Sequence, residues 1–334
     1  MAFWVKDIGI DLGTSNTLIC DKEKGILLCE PSVISMYSIS KEKMAVGQDA
    51  KDMIGRAPIG VEVITPLKDG VISDFDYTQI MLRDFVKQVN TEKALIKLRA
   101  IIGVPSDVTE IERRAVREVA MASGAKEVLL IEEPMASAIG AGISVEEPSG
   151  AMIVDIGGGI TEIAVISLGG IVMSKSIRVA GDDIDEAIKN YIKREYNIVI
   201  GTRTAEEIKI NIGTVNKNKK IEKMNIKGRD LVTGLPKAIS IDSYEIQEVM
   251  REIIDLLIDA VKYSIERTPP ELIQDIRKAG IMLAGGGSML DGFKELLEES
   301  MGMPVKLAEN TLNTTINGIN TVLNDIDKYN KVVF

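Results

Sequence analysis

Three glycine-rich segments each follow an apolar run: Asp11-Leu-Gly-Thr-Ser-Asn-Thr17, Asp155-Ile-Gly-Gly-Gly-Ile-Thr161 and Ala284-Gly-Gly-Gly-Ser-Met-Leu290. Glycine lets a backbone approach a ligand and turn its N–H groups toward it, so such turns can hold a polyphosphate without a basic cluster. Two of them carry an aspartate just ahead of the glycines, Asp11 and Asp155. Two carboxylates aimed at a triphosphate repel it unless a divalent cation lies between them, and Mg²⁺ is commonly held there through water. The competing reading of each aspartate is a strand-end residue capping its own glycine turn. Neither a GxxxxGK[ST] loop nor a GxGxxG fingerprint occurs, which removes the main support for P-loop and dinucleotide folds.

What the chain lacks narrows the chemistry further. It has no histidine among 334 residues, which excludes Ser-His-Asp and Cys-His nucleophile systems, a histidine base and histidine-ligated metals. Cys20 and Cys29 are the only cysteines; they cannot make a four-ligand zinc site and point to a reducing interior. With 40 basic against 50 acidic residues the net charge is −10 and the pI near 4.9, which argues against broad nucleic-acid binding. Carboxylates, hydroxyls, backbone amides and a bound cation remain.

These residues must be positioned by strands and turns. At ~150 residues per domain the length suggests two domains. Ile8–Leu12, Thr17–Cys20 and Ile26–Cys29 read as strands, with Gly13–Asn16 and Asp21–Gly25 as turns. Arg99–Val104 is a strand ending at Pro105, after which Ser106 or Thr109 caps a helix over Glu110–Ala122. Val128–Ile131 leads into Glu132-Glu133-Pro134 and an Ala-rich helix. The same grammar returns at Ala151–Asp155, Thr161–Ile166 and Ile171 onward, so strand, Asp, glycine turn and return strand recur 144 positions later. That spacing implies duplication at domain scale, not a solenoid. Between Glu245 and Glu266, Val249, Ile253, Leu256, Leu257, Ala260, Val261 and Ile265 recur at helical spacing. Ile281–Ala284 is a further buried strand before the third glycine turn, with a helix from Asp291, and the Lys-rich stretch Asn216–Asn225 reads as a solvated loop or hairpin. Strands alternating with helices indicate an α/β architecture.

No uncharged stretch approaches the ~20 residues a spanning helix needs, and Met1–Asp7 lacks the pattern of a signal peptide. Phe3 and Trp4 form a small apolar patch there; strand-edge packing and membrane contact are both open readings.

The set Asp11-Leu-Gly-Thr-Ser-Asn-Thr17, Ile131-Glu-Glu-Pro-Met-Ala136, Asp155-Ile-Gly-Gly-Gly159 and Gly285-Gly-Gly-Ser288 resembles the two phosphate motifs, the connecting motif and the adenosine motif of the superfamily of actins, heat-shock chaperones and sugar kinases. Glu30-Pro-Ser-Val33, Asp69-Gly-Val-Ile72, Ile102-Gly-Val-Pro105, Val145-Glu-Glu-Pro-Ser-Gly150, Ile166-Ser-Leu-Gly169, Ala180-Gly-Asp182, Thr233-Gly-Leu-Pro236 and Thr268-Pro-Pro-Glu-Leu272 are similar to the MreB family of bacterial actins, over roughly residues 6–305.

The resemblance implies an α/β, actin-like two-lobe fold, in which duplicated ribonuclease-H-like domains enclose a nucleotide cleft. Lobe I would span 1–145, with a small subdomain about 33–75; lobe II 146–315, with a small subdomain about 181–242; and 316–334 would return to lobe I. ATP and Mg²⁺ are the implied cofactors, with Asp11 and Asp155 facing the ion. Thr14, Ser15 and Asn16 would clamp the phosphates from one side, and Gly157, Gly158 and Gly159 from the other. Glu206, Lys209, Gly286, Gly287, Ser288 and Met289 would meet the adenosine, although Glu206 and Lys209 by spacing alone read as a surface i,i+3 ion pair.

Glu133 corresponds to the family's water-orienting acid, with Thr161 as a second contact. Its neighbour Glu132 competes for that role, and a helix N-terminal acid is the plainer reading of either. Ile160 stands where the family usually carries threonine, so one hydroxyl near the phosphates is expected to be missing.

The implied activity is slow, polymerisation-coupled ATP hydrolysis by a cytoskeletal filament at the inner face of the cell membrane, controlling shape, or motility in a wall-less cell. Partners would be further copies of the chain, an anionic membrane surface and other morphogenesis proteins, without nucleic acid. Leu95 and Ile96, bracketed by Lys93 and Lys97, match the family's membrane loop, and Arg56 lies where filament contacts form; core packing and a lone exposed arginine are the plainer readings. A small-molecule kinase of the same superfamily is the alternative, but no aspartate base for a substrate hydroxyl stands out. A chaperone-type ATPase would need a β-rich substrate domain that the chain has no room for.

Overall fold

Apolar runs broken by Gly, Pro and Asp build two five-stranded sheets on one plan. The computed structural model describes residues 5–90, 97–216 and 218–334. In space the first sheet runs Gly25–Pro31, Asn16–Asp21, Val5–Leu12, Lys97–Val104, Ala125–Glu132, and the second runs Gly170–Ile177, Thr161–Ser167, Ala151–Ile156, Ile281–Ala284, Val305–Leu307. Each is an antiparallel three-strand meander followed by two parallel strands. The likeness extends to single bonds: Gly13 N donates to Asn16 O at 3.1 Å and Gly157 N to Ile160 O at 2.9 Å, closing the two leading hairpins identically.

Helices Phe75–Val89 and Glu110–Ala122 pack against each other on the first lobe. The second of these starts at Thr109, not Ser106, because Thr109 and Glu112 form a reciprocal capping box. On the second lobe, helix Ser243–Glu266 buries Ile246, Met250, Ile254, Leu257, Ile258 and Val261. Of the residues expected on its apolar face, Leu257, Ala260 and Val261 are buried, and the centre of the stripe is shifted toward Ile246, Met250, Ile254 and Ile258. Leu256 is 53% exposed, while Val249, Ile253 and Ile265 sit at the margin of the core. The helix has apolar residues on more than one flank, and the sheet beneath selects which of them is covered.

Each lobe carries a three-stranded satellite sheet: Lys43–Val46, Ile34–Tyr37 and Val61–Ile64 in the first, Ile198–Val199, Lys223–Asp230 and Pro236–Asp242 in the second. The Lys-rich stretch is thus loop only up to Glu222. From Lys223 it is a strand whose hairpin turn lies at 231–235, where Asp230 accepts from the Val232 and Thr233 N–H groups.

Between the lobes lies a third apolar cluster drawn from both sheets, including Leu18, Ile101, Ile153 and Ala164. Helices Glu133–Gly140 and Thr314–Asn324 cross within it. Beyond the second sheet the chain returns to the first: Phe334 exchanges backbone bonds with Leu130 at 2.9 and 3.0 Å, and Arg113 stacks 4.8 Å over the Phe334 ring. Among the described residues, no helix is long and apolar enough to cross a membrane.

Candidate nucleotide site

The leading hairpins of the two sheets meet tip to tip across the cleft. A Cβ on Gly158 would collide with Ser15 Oγ and lie 3.1 Å from Ser15 Cβ, and one on Gly159 would lie 3.0 Å from Thr14 Cγ2. A larger residue at either position would push the Thr14 and Ser15 side chains aside. The first loop is braced by Ser32, whose N–H donates to Ser15 O at 3.0 Å and whose hydroxyl donates to Gly13 O at 2.6 Å. Thr14 Oγ1 accepts from Gly70 N at 2.9 Å. The second loop rests on the start of helix Gly181–Tyr196, with Gly181 N donating to Gly157 O and Asp182 N to Gly158 O at 3.2 and 2.8 Å. Among the described residues, Thr14, Ser15, Gly158 and Gly159 donate their N–H groups to no backbone carbonyl. Unpaired amides on two facing turns are the kind of donor a polyphosphate needs. Ile160, expected as the loss of a hydroxyl, packs across the cleft: a Cβ on Gly70 would lie 3.1 Å from Ile160 Cδ1. It makes an apolar bridge between the lobes.

Behind the loops stand four carboxyls. Asp11 and Asp155 occupy equivalent positions before their turns, opposite Leu18 and Glu162 in their hairpins. Burial, then the neighbouring charge of Asp155, pushes Asp11 up to about 7. Asp155 is raised by burial and partly relieved by the hydroxyls of Ser137 and Thr315. Glu133 is held well above the ordinary carboxyl range by burial, then by Glu162, Asp11 and Asp155. Among the described residues, no group of three or more His, Cys, Asp or Glu forms a direct metal cage. A pair of carboxylates that repel each other fits Mg²⁺, which keeps several waters and takes its other ligands from phosphate.

The Asp11 shift has a measurable sign. Its folded pKa of about 7 exceeds the ordinary 3.8, so its contribution to stability is full at low pH and lost as pH rises through neutrality. Without nucleotide or Mg²⁺, Asp11→Asn should melt above the parent chain at about pH 8, and the gap should close near pH 4. A gap independent of pH would refute the assignment. Calorimetry should show the same variant binding Mg-nucleotide more weakly.

Of the two helix residues expected at the adenosine, Lys209 donates to Gly181 O at 2.9 Å and to Asp185 at 3.0 Å. Glu206 instead faces Lys51 of the first lobe at 3.7 Å. The i,i+3 pair expected from spacing does not form, because the buried Asp185, raised to about 6 by desolvation, captures the lysine. Gly286–Met289 is one 3₁₀ turn; Ser288 is buried and its hydroxyl donates to Gly285 O at 2.7 Å, leaving Met289 exposed. Gly285, at φ 77°, must be glycine also because a Cβ would strike Asp155 Oδ1. The buried Thr161 hydroxyl donates to Val179 O at 2.8 Å.

The MreB/Mbl protein family model matches residues 5–331. The chain belongs to the MreB/Mbl family. The cell shape-determining protein Mbl of Bacillus subtilis is 48% identical over 328 residues, 98% of each chain. Cell shape-determining MreB of Escherichia coli K12 is 46% identical over 333 residues, 98% of this chain and 96% of that one. Crystal structures of MreB5 of Spiroplasma citri bound to ADP and to AMPPNP superpose with TM-score 0.92 at 38% identity, covering 98% of both chains. The fold is thus the actin-like two-lobe α/β fold, and membership of this cell shape-determining family sets the small-molecule kinase reading aside.

In this MreB/Mbl chain Thr14 and Ser15 lie against Gly159 and Gly158, and Asp11, Asp155 and Glu133 are near enough for their charges to act on one another. Glu132 is turned away, 3.9 Å from Arg113. Arg56 is exposed on the first satellite region. Phe3, Trp4, Leu95 and Ile96 lie outside the described residues. Sequence reasoning missed Glu162, Ser137 and Thr315. Glu162 had a signal, a charge inside the otherwise apolar strand Thr161–Ser167; the hydroxyls had none.

Proposed function

We propose that this MreB/Mbl chain binds ATP with Mg²⁺ between its lobes, hydrolyses it slowly and polymerises into cytoskeletal filaments that act at the inner face of the cell membrane. The observation that carries the reading is the tip-to-tip meeting of the hairpins, Gly158 on Ser15, above Asp11 and Asp155. The bound ADP and AMPPNP of the MreB5 relative support nucleotide as the ligand. The loops of residues 14–16 and 157–159 would grip phosphates through backbone amides. Asp11 and Asp155 would hold Mg²⁺ through water, and the ion would neutralise charge on the phosphates. Glu133 would orient the attacking water, since positioning and electrostatics supply most of the rate in such reactions. Because both grips belong to different lobes, bound nucleotide favours the closed arrangement and hydrolysis weakens it, a population shift that a polymer can read.

Light scattering and electron microscopy with ATP and Mg²⁺ should show filaments, with phosphate release following assembly. Pelleting with anionic liposomes tests the membrane part, where a net charge of −10 must be overcome by an apolar element or by filament avidity. A chain that stays monomeric far above micromolar concentration with ATP and Mg²⁺ would sink the filament reading.

A further inference from the structure

We propose that Glu162 is a positioning residue for Glu133, and that it makes the placement of Glu133 depend on the two lobes being closed. The inference rests on the ATP-hydrolysis reading of this site.

The duplication supplies the first observation. Leu18 and Glu162 hold the same place in their hairpins, opposite Asp11 and Asp155. Packing asks only for an apolar side chain there, as Leu18 shows, and a carboxyl that is 2% exposed costs desolvation unless it is used. The second observation is how Glu162 is held. Oε1 accepts from Ser106 N at 2.8 Å, Ser106 Oγ at 3.2 Å and Ser176 Oγ at 3.1 Å. Ser176 lies on the neighbouring strand of the same sheet, but Ser106 follows the strand Lys97–Val104 of the first lobe. Three donors therefore orient one oxygen, and two of them come from across the cleft.

The third observation is what is left. Oε2 is buried with no hydrogen-bond partner, and after burial the charge of Glu162 is the largest influence holding the Glu133 carboxyl up, which puts the two buried groups side by side. Glu133 itself sits at the first turn of helix Glu133–Gly140, over Gly103, where a Cβ would lie 3.2 Å from Glu133 Cγ. Glu133 is thus restrained from below by Gly103 and from the side by Glu162. When the lobes part, Glu162 loses the two Ser106 bonds and keeps only Ser176, so its carboxyl is freer to turn and the lateral restraint on Glu133 weakens. Closure by nucleotide or by neighbours in a polymer would then set the water-orienting carboxyl as a consequence of geometry.

The test is turnover and affinity measured separately on purified chain with ATP and Mg²⁺. Glu162→Leu, the residue found at the duplicate position, should lower phosphate release about tenfold or more while changing fluorescent-ADP affinity by no more than about twofold. Glu162→Gln keeps an acceptor for Ser106 and a second arm toward Glu133, so it should recover part of the loss. In a Glu133→Ala background, Glu162→Leu should add no further loss, since residues acting as a unit are non-additive. Parent-like turnover in Glu162→Leu, the same fold-loss with and without Glu133, or a matching loss of ADP affinity would each overturn the inference while leaving the hydrolysis reading intact. A parent chain that binds nucleotide but releases no phosphate would overturn both.

Discussion

Glu133→Ala should reduce phosphate release ~10²-fold or more while ATP still binds and filaments still form. Glu133 is the carboxyl turned inward beside Asp11, Asp155 and Glu162. Removing it leaves both phosphate loops and the aspartate pair in place, so binding should survive when water positioning is lost. The neighbouring Glu132 gives a sharp control: its side chain faces Arg113, and Glu132→Ala should leave turnover close to that of the parent. Single-turnover phosphate release beside equilibrium nucleotide binding separates the two effects. Equal losses from both substitutions would remove Glu133 from its role.

Gly318→Val should destabilise the fold by ~3 kcal/mol, at the upper end of what overpacking usually costs. Helices Glu133–Gly140 and Thr314–Asn324 touch backbone to backbone where Gly140 and Gly318 meet. A Cβ on Gly318 would overlap Ala136 O and lie 3.0 Å from Gly140 N, while one on Gly140 would overlap Thr314 O. Neither obstacle is a flexible side-chain end, so the helices must separate. Separation also carries away function, because one helix starts with Glu133 and bears Ser137 while the other bears Thr315, both bound to Asp155. A lower urea midpoint together with weaker nucleotide binding is the expected result; an unchanged midpoint would show that the crossing is looser than described.

Much of the scaffold could be read from local pattern. The strand, turn and strand units around Asp11 and Asp155 stand out because glycine and aspartate interrupt short apolar runs, and hairpin register follows from turn length. Helix Ser243–Glu266 shows where local pattern stops: its extent and most of its apolar face were legible, but Leu256 and Leu257 are equally apolar and only the sheet decides that Leu257 is buried and Leu256 exposed. Lys209 makes the same point for charges. Spacing offered Glu206 as partner, yet a buried Asp185 from another helix exerts the stronger pull.

By itself, then, the sequence determined the duplicated hairpins, the glycine turns and the restriction to carboxylate, hydroxyl and amide chemistry, because these depend on neighbours a few residues away and on which side chains exist. The tertiary structure alone decided that Gly158 meets Ser15, that Ile160 bridges to Gly70 and that Glu133 and Glu162 come together. Those meetings join residues that lie far apart along the chain and on different lobes, so no periodicity along the chain encodes them.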